Sequence, residues 1–356
     1  MKGVNNIVEK LLSVILPVYN TEIYFRDCLN SLLPQLDARA EVIIMDDGCT
    51  DGCPKIMEEY GKRYPDIVKV LHENNRGNMV ARYAAIQEAE GLYVGFLDSD
   101  DLVEKSWYED IVSVIEEHYP DMIILRWLKF DDEGHLFETE RPPLFDTGEV
   151  DKDDIMKVFV SSQRVNGLPL KVVKRELFTE DTDYSDNGKR SLMEDKLMSI
   201  QLFENAETFW YISHVLYLYR TNLSSITFRT KENDHYTLQY TYPPMLEFLK
   251  RSGYDLTPYH ELLVENYGSV MWEIILKTHR AYEREKAIEI FRDMHGFEFS
   301  AYMPALIDDF TLADYKKEGL RLLLKDDYAS LYDFVGEIRK NPDLDHRPDL
   351  RKLGKL

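Results

Sequence analysis

The chain has 356 residues, 44% of them apolar, with 43 Lys+Arg against 65 Asp+Glu for a formal net charge of −22. That composition describes a folded globular protein of about two domains and excludes a disordered or collagen-like chain. It also excludes a general nucleic-acid binder, whose surface must attract phosphates; a nucleotide in one cleft remains compatible with it.

In chain order, the opening MKGVNNIVEK has no basic segment followed by an apolar one, so no secretory leader is expected. LLSVILPV (11–18) is the longest apolar run and falls far short of the ~20 residues of a membrane-spanning helix. It reads as the first strand. The runs EVIIMD (41–46), IVKVLH (67–72), LYVGFLD (92–98) and DMIILRW (121–127) follow it as further strands. Residues 23–33, 54–63, 79–89 and 107–118 have helical spacing, and Asn20, Thr21 and Asp51 stand where helix caps are expected. Apolar strands separated by helices of about ten residues describe an α/β layer with a parallel sheet covered on both faces.

Polar and turn residues at 131–148 (DDEGHLFETERPPLFDTG) read as a linker or hairpin. A mixed segment to 227 carries a helix at 193–205 and two short strands, ETFWYI (207–212) and VLYLYR (215–220). Beyond 227 the spacing is helical at 246–250, 259–278, 283–294, 315–323 and 328–339, and the tail 339–356 is mildly basic. The expected organisation is therefore 1–130, 131–227 and a helical region 228–356. Cys28, Cys49 and Cys53 are too few for a disulfide framework and suit a reducing cytoplasm, and Cys49-x3-Cys53 lacks the second ligand pair of a zinc site.

Three polar clusters fall at strand ends: Pro17-Val18-Tyr19-Asn20, Asp46-Asp47-Gly48, and Asp98-Ser99-Asp100-Asp101. In an open parallel sheet, ligands bind at the carboxyl edge, where these clusters converge. Asp98 and Asp100 offer hard oxygens suited to Mg²⁺ or Mn²⁺ beside a diphosphate, and crowded carboxylates favour such a cation. Taken alone, an Asp-x-Asp in an acidic chain is an ordinary solvated turn; its place after a buried strand, opposite two other clusters, gives it weight.

SVILPVYN (13–20), EVIIMDDGCTDGC (41–53), ENNRGNMVARYAA (73–85) and GLYVGFLDSDD (91–101) together resemble the family 2 inverting glycosyltransferases, bacterial glycan-biosynthesis type. LKVVKRELF (170–178), LMEDKLMSIQLFENAETFWYI (192–212) and LYLYRTNLSSIT (216–227) are similar to that family's acceptor-side region. The resemblance implies the GT-A (Rossmann-like) nucleotide-binding fold with a mostly parallel sheet, here followed by a helical region. It implies a UDP-sugar donor, with Pro17, Tyr19, Asn20, Asp47, Asn75 and Arg82 lining the nucleotide pocket and Asp47 on the uracil. Asp98, Ser99 and Asp100 would form the D-x-D motif, with Asp98 and Asp100 on Mg²⁺ or Mn²⁺ and Asp101 near enough to assist. Asp195 would be the general base, with Glu194 beside it, and Arg220 would reach the departing diphosphate.

Departures are visible too. Tyr83 and Ala85 stand where the family often has Asn and Gly, and the Q-x-x-R-W segment and membrane helix of processive synthases are missing. A single transfer to a glycan or lipid-linked acceptor is expected, with specificity in the loops 131–148 and 179–191. Trp107 and Trp127 are candidates to stack on a sugar.

The alternative is a catalytically inactive nucleotide-sugar-binding or scaffold protein, against which Asp98, Asp100 and Asp195 stand. A sugar-phosphate nucleotidyltransferase or a dinucleotide dehydrogenase needs a Gly-rich phosphate loop after the first strand, and PVYNTE has no glycine. The helical region is expected to serve homodimerisation or acceptor recognition, and the basic tail peripheral contact with the inner membrane face.

Overall fold

The computed structural model describes residues 10–137, 142–179, 193–221 and 233–341. They belong to two compact units, 1–228 and 229–356.

The first unit opens with the alternation expected: β1 (Leu12–Val18), α1 (Glu22–Leu32), β2 (Ala40–Asp46), α2 (Cys53–Arg63), β3 (Val68–His72), α3 (Asn78–Gln87) and β4 (Tyr93–Phe96). β1 and β2 are buried along their whole length, as continuous apolar strands in a covered parallel sheet must be. The chain continues through β5 (Leu102–Val103), α4 (Trp107–His118), β6 (Met122–Phe130), β7 (Leu136–Phe137), β8 (Gly148–Val150), α5 (Lys152–Ser161), β9 (Lys171–Lys174), α6 (Glu194–Asn205) and β10 (Phe209–Arg220). One sheet runs β3-β2-β1-β4-β9-β6-β10-β5, with β7 on β6 and β8 on β10.

β3, β2, β1 and β4 are mutually parallel. β6 does not follow β4, as an unbroken parallel layer would require. β9 lies between them, antiparallel to both, and β10 then pairs parallel to β6. Nor are 207–212 and 215–220 two strands. They form the single β10, whose register shifts between Ile212 and Tyr217 absorb the polar Ser213-His214.

Gly91 lets two strands approach: a Cβ there would lie 2.5 Å from the Ser13 nitrogen. Its N–H donates to Ser13 Oγ at 2.8 Å, and Ser13 Oγ in turn donates to Glu41 Oε1. A buried Ser in β1 is thereby satisfied. Trp107 is fully buried and Trp127 half-buried with its indole N–H on Arg164 O, so Trp107 has no face to offer a sugar. Phe209, Tyr211 and Tyr217 are likewise buried in the sheet.

The second unit is helical: α7 (Tyr236–Arg251), α8 (Leu256–Ala281), α9 (Arg284–His295), α10 (Met303–Leu306), α11 (Asp314–Leu324) and α12 (Tyr328–Lys340). α7 begins ten residues before the expected 246 and runs through Pro243 and Pro244. α8 is its axis, burying Tyr267, Met271, Trp272 and Ile275, and Gly319 of α11 sits against the Trp272 ring. No helix among the described residues is long and apolar enough to cross a membrane. The loop 180–191, residues 138–141 of the polar linker, 222–227 and most of the tail lie outside the described residues.

Candidate active site

The carboxyl ends of β1, β2 and β4 carry the three clusters. At the end of β1, Pro17 and Val18 are buried, whereas Tyr19 is 48% exposed and Asn20 turns with φ +54°. Asn20 Oδ1 accepts from Thr50 N at 2.8 Å and so ties this turn to the β2 end. Thr21 makes no side-chain cap on α1. Asp51 serves instead, accepting from Glu22 N at 2.9 Å and from Cys53 N at 3.1 Å, and so caps two helices.

Asp47 is buried. Its two oxygens accept from Arg76 N at 2.7 Å and Gly77 N at 3.0 Å, pinning the loop before α3. Gly48, at φ +75°, lets that loop approach: a Cβ would meet Asn75 N at 2.8 Å. Asn75 is half-buried beside it. Asp46 pairs with His72 and Cys49 N, which holds its carboxyl below the ordinary range despite burial.

The Asp98–Asp101 turn divides its acids. Asp101 is 1% exposed; its oxygens accept from Tyr217 OH at 2.5 Å and Arg220 N at 2.7 Å. Burial, with Asp100 and Asp98 adding to it, raises its carboxyl well above the usual value. Asp101 therefore anchors the turn, with each of its oxygens engaged once. Ser99 Oγ accepts from Thr21 Oγ1 at 2.8 Å, joining the turn to the β1 end. Asp98 and Asp100, on either side of Ser99, are half-buried.

Arg220 ends β10 almost wholly buried, over the rings of Phe130 and Tyr24, with Nε donating to Asp100 O at 2.7 Å and Nη1 to Asp132 at 3.0 Å. In this structure it braces the Asp100 peptide.

Arg82 is the hub. Its side chain is 1% exposed; Nη2 donates to Asp98 Oδ1 at 2.6 Å and Nη1 donates to Asp195 Oδ1. Asp195, in the first turn of α6, also accepts from Leu168 N at 3.3 Å. Burial opposes the guanidinium's charge, but Asp195, Asp98 and Glu194 outweigh it and raise its pKa. Burial and the Asp195 charge push Glu194 up to about 7, Arg82 acting against them, and burial also raises Asp98. Three carboxyl groups thus surround one buried guanidinium. The excess negative charge and the hard oxygens of Asp98 and Asp100 fit a divalent cation of the Mg²⁺ or Mn²⁺ kind.

The groups of three potential ligands with atoms close enough to share an ion among the described residues are Cys49–Asp51–Cys53 and Asp131–Glu133–His135, and the Asp98–Asp101 turn is not among them. In the first Asp51 is occupied as a cap; the second is a turn whose Asp131 accepts from Glu133 N and His135 N.

Sequence spacing does not indicate that Arg82 joins Asp98 to Asp195, 113 residues away from it. It also missed the support given by Tyr217, Leu168 and Thr21.

A family model described as Glycosyl transferase family 2 matches residues 13–167. Glycosyltransferase GlyG of Streptococcus pneumoniae serotype 4 is 30% identical over 226 residues, 62% of this chain and 73% of that protein. Poly(ribitol-phosphate) beta-N-acetylglucosaminyltransferase TarS of Staphylococcus aureus is 28% identical over 237 residues, 65% of this chain and 38% of TarS. The crystal structure of S. aureus TarS 1–349 in complex with UDP-GlcNAc superposes with a TM-score of 0.66 at 21% identity, over 93% of this chain and 92% of that one. At that identity the likeness is one of fold.

Proposed function

The chain belongs to glycosyl transferase family 2 and has its GT-A fold, and from that premise we propose an inverting, metal-dependent transfer from a UDP-sugar to a hydroxyl of a glycan or lipid-linked acceptor in surface-polysaccharide assembly. The observation that carries the reading is the Arg82 bridge, which holds Asp98 and Asp195 on either side of one guanidinium at the sheet's carboxyl edge.

Asp98 and Asp100 would hold Mg²⁺ or Mn²⁺, which supplies charge neutralisation to the diphosphate when bound. The chain's own residues do the rest. Asp195 takes the proton of the acceptor hydroxyl, a weak nucleophile without a base in reach. One base and direct displacement invert the anomeric centre, so no carboxylate nucleophile is needed. Arg82 keeps Asp195 oriented. The backbone turn at Asp47–Gly48, with Asn20, Asn75, Pro17 and Tyr19, frames the nucleoside. Arg220 braces the Asp100 backbone and, with a modest swing, supports the departing diphosphate.

TarS, whose structure holds UDP-GlcNAc, makes that the first donor to offer. We assign dimerisation or acceptor recognition to the helical unit, motivated by exposed Tyr240, Leu256 and Tyr302; a monomeric mass at micromolar concentration removes the dimer.

The test is a thermal-shift screen of UDP- and GDP-sugars with and without Mn²⁺. A UDP-sugar should raise the melting temperature more with Mn²⁺, since a ligand bound only by the folded state stabilises it, and Asp100→Ala should lose the metal-dependent part. No shift with any nucleotide sugar refutes the reading.

A further inference from the structure

Behind Asp195 a stretch of backbone is gripped by a buried ammonium. Lys171, first residue of β9, has no exposed surface, and its Nζ donates to the carbonyls of Asn166 at 3.0 Å and Gly167 at 2.8 Å. Ser199, one helical turn beyond Asp195 on α6, donates its hydroxyl to the same Asn166 carbonyl at 3.1 Å. The peptide that follows presents Leu168 N–H to Asp195 Oδ2 at 3.3 Å, while Arg82 takes Oδ1.

Burying an ammonium whose partners are two carbonyls and the face of the Phe203 ring, with no carboxylate bonded to it, is costly, and an apolar side chain of similar size would pack there at less expense to stability. Burial, with the Arg82 and Lys196 charges adding to it, pulls Lys171 down to about 7 against the opposing Asp195 charge. A charge kept in such a place needs a use. The two carbonyls it fixes immediately precede the N–H that holds the carboxylate, and the Gly167 carbonyl shares a peptide plane with it.

We propose that Lys171, seconded by Ser199, is a positioning residue for the transfer: it locks the 166–168 backbone so that Leu168 N–H holds Asp195 in one orientation toward the acceptor hydroxyl. This rests on Asp195 being the base. Lys171 does not touch the reacting atoms; it acts through two carbonyls and one amide. A base held by N–H groups on one oxygen and a guanidinium on the other is presented in a single direction, and a displacement of about 1 Å costs on the order of 10²-fold in rate.

The experiment measures UDP released from UDP-GlcNAc, UDP-glucose and UDP-galactose with Mn²⁺, water serving as acceptor, for wild type, Lys171→Met, Ser199→Ala, Gly167→Ala and Asp195→Asn. A double variant combines Lys171→Met with Asp195→Asn. Gly167→Ala is a mild probe: its methyl would lie 3.8 Å from Asp195 Oδ2 and no nearer than 3.4 Å to Leu170, so it fits. Lys171→Met should lower kcat about 10²-fold with donor KM within twofold, Ser199→Ala and Gly167→Ala should lower it less, and Lys171→Met should cost nothing further in the Asp195→Asn background.

A Lys171→Met enzyme with wild-type kcat overturns the proposal, as does an equal loss in the Asp195→Asn background, the mark of a general structural role. If Lys171→Met does not fold, unchanged kcat in both Ser199→Ala and Gly167→Ala overturns it. Wild-type turnover by Asp195→Asn, or no turnover of any UDP-sugar by the wild type, instead refutes the functional reading beneath it.

Discussion

Replacing Arg82 by Met removes the guanidinium that bonds both Asp98 and Asp195 while keeping the volume of the side-chain stem. Breaking a buried ion pair from one side costs about 3–5 kcal/mol, because a charge is left without compensation. Here the orphaned carboxylates keep 27% and 24% of their side-chain surface, so water recovers part of their solvation. The lower end of the range, about 3 kcal/mol, is therefore expected. For a unit of this size, about 2–4 °C per kcal/mol translates that into a fall of roughly 6–12 °C in Tm.

The sign with pH follows from the same charges. Burial already raises the Asp98 carboxyl and Arg82 opposes that; without the guanidinium Asp98 binds its proton still more tightly folded than unfolded, so the variant's deficit grows as pH rises and shrinks as it falls. Mn²⁺ should recover more stability in the variant than in wild type, since the uncompensated charge has increased. Thermal melts of both proteins from pH 5 to 8, with and without Mn²⁺, measure all three effects. A variant melting within 2 °C of wild type at every pH would show that Arg82 does not hold the two carboxylates together.

In Glu194→Gln, the carboxyl that burial and Asp195 push to about 7 is replaced by a neutral group. Wild type loses stability as pH climbs from its ordinary 4.5 to about 7, and the Gln variant does not, so the difference should grow by at most about 3 kcal/mol over that window in urea titrations; a flat difference contradicts it. Asp101→Ala strands Tyr217 OH and Arg220 N and should cost about 2–4 kcal/mol in the absence of metal. Asp100→Ala should leave the metal-free Tm nearly unchanged, and the reverse ranking would refute the division of roles. Gly319→Ala drives a methyl to 2.0 Å from the Trp272 ring and should cost about 1–3 kcal/mol, read as an earlier helical transition by circular dichroism; an unchanged melt contradicts the packing.

The β1–β4 alternation was legible because each strand is a continuous apolar run and each helix has a clear stripe, and the strand-end acids could be placed on one edge from that alone. β9 was not. Its four residues begin and end with lysine, and Lys171 is buried only because Asn166 and Gly167 supply carbonyls that local pattern cannot reveal. β10 was divided at Ser213-His214, where a register shift keeps one strand running. Pro243 and Pro244 hid the first half of α7. Asp101 stood in sequence as near enough to assist Asp98 and Asp100, and its bonds from Tyr217 OH and Arg220 N, 116 and 119 residues on, are what set it apart in the structure. Motif spacing shows which chemistry is present, whereas long-range partners decide which acid is spent on structure.

The most direct test of the account follows the anomeric configuration of the sugar released from an α-linked UDP-sugar by proton NMR, with UDP binding measured on the same samples. The wild type should give the β product first, and Asp195→Asn should bind UDP equally well yet release sugar at least about 10²-fold more slowly. A first product of retained configuration, or undiminished release by Asp195→Asn, would contradict a single-displacement transfer driven by that carboxylate.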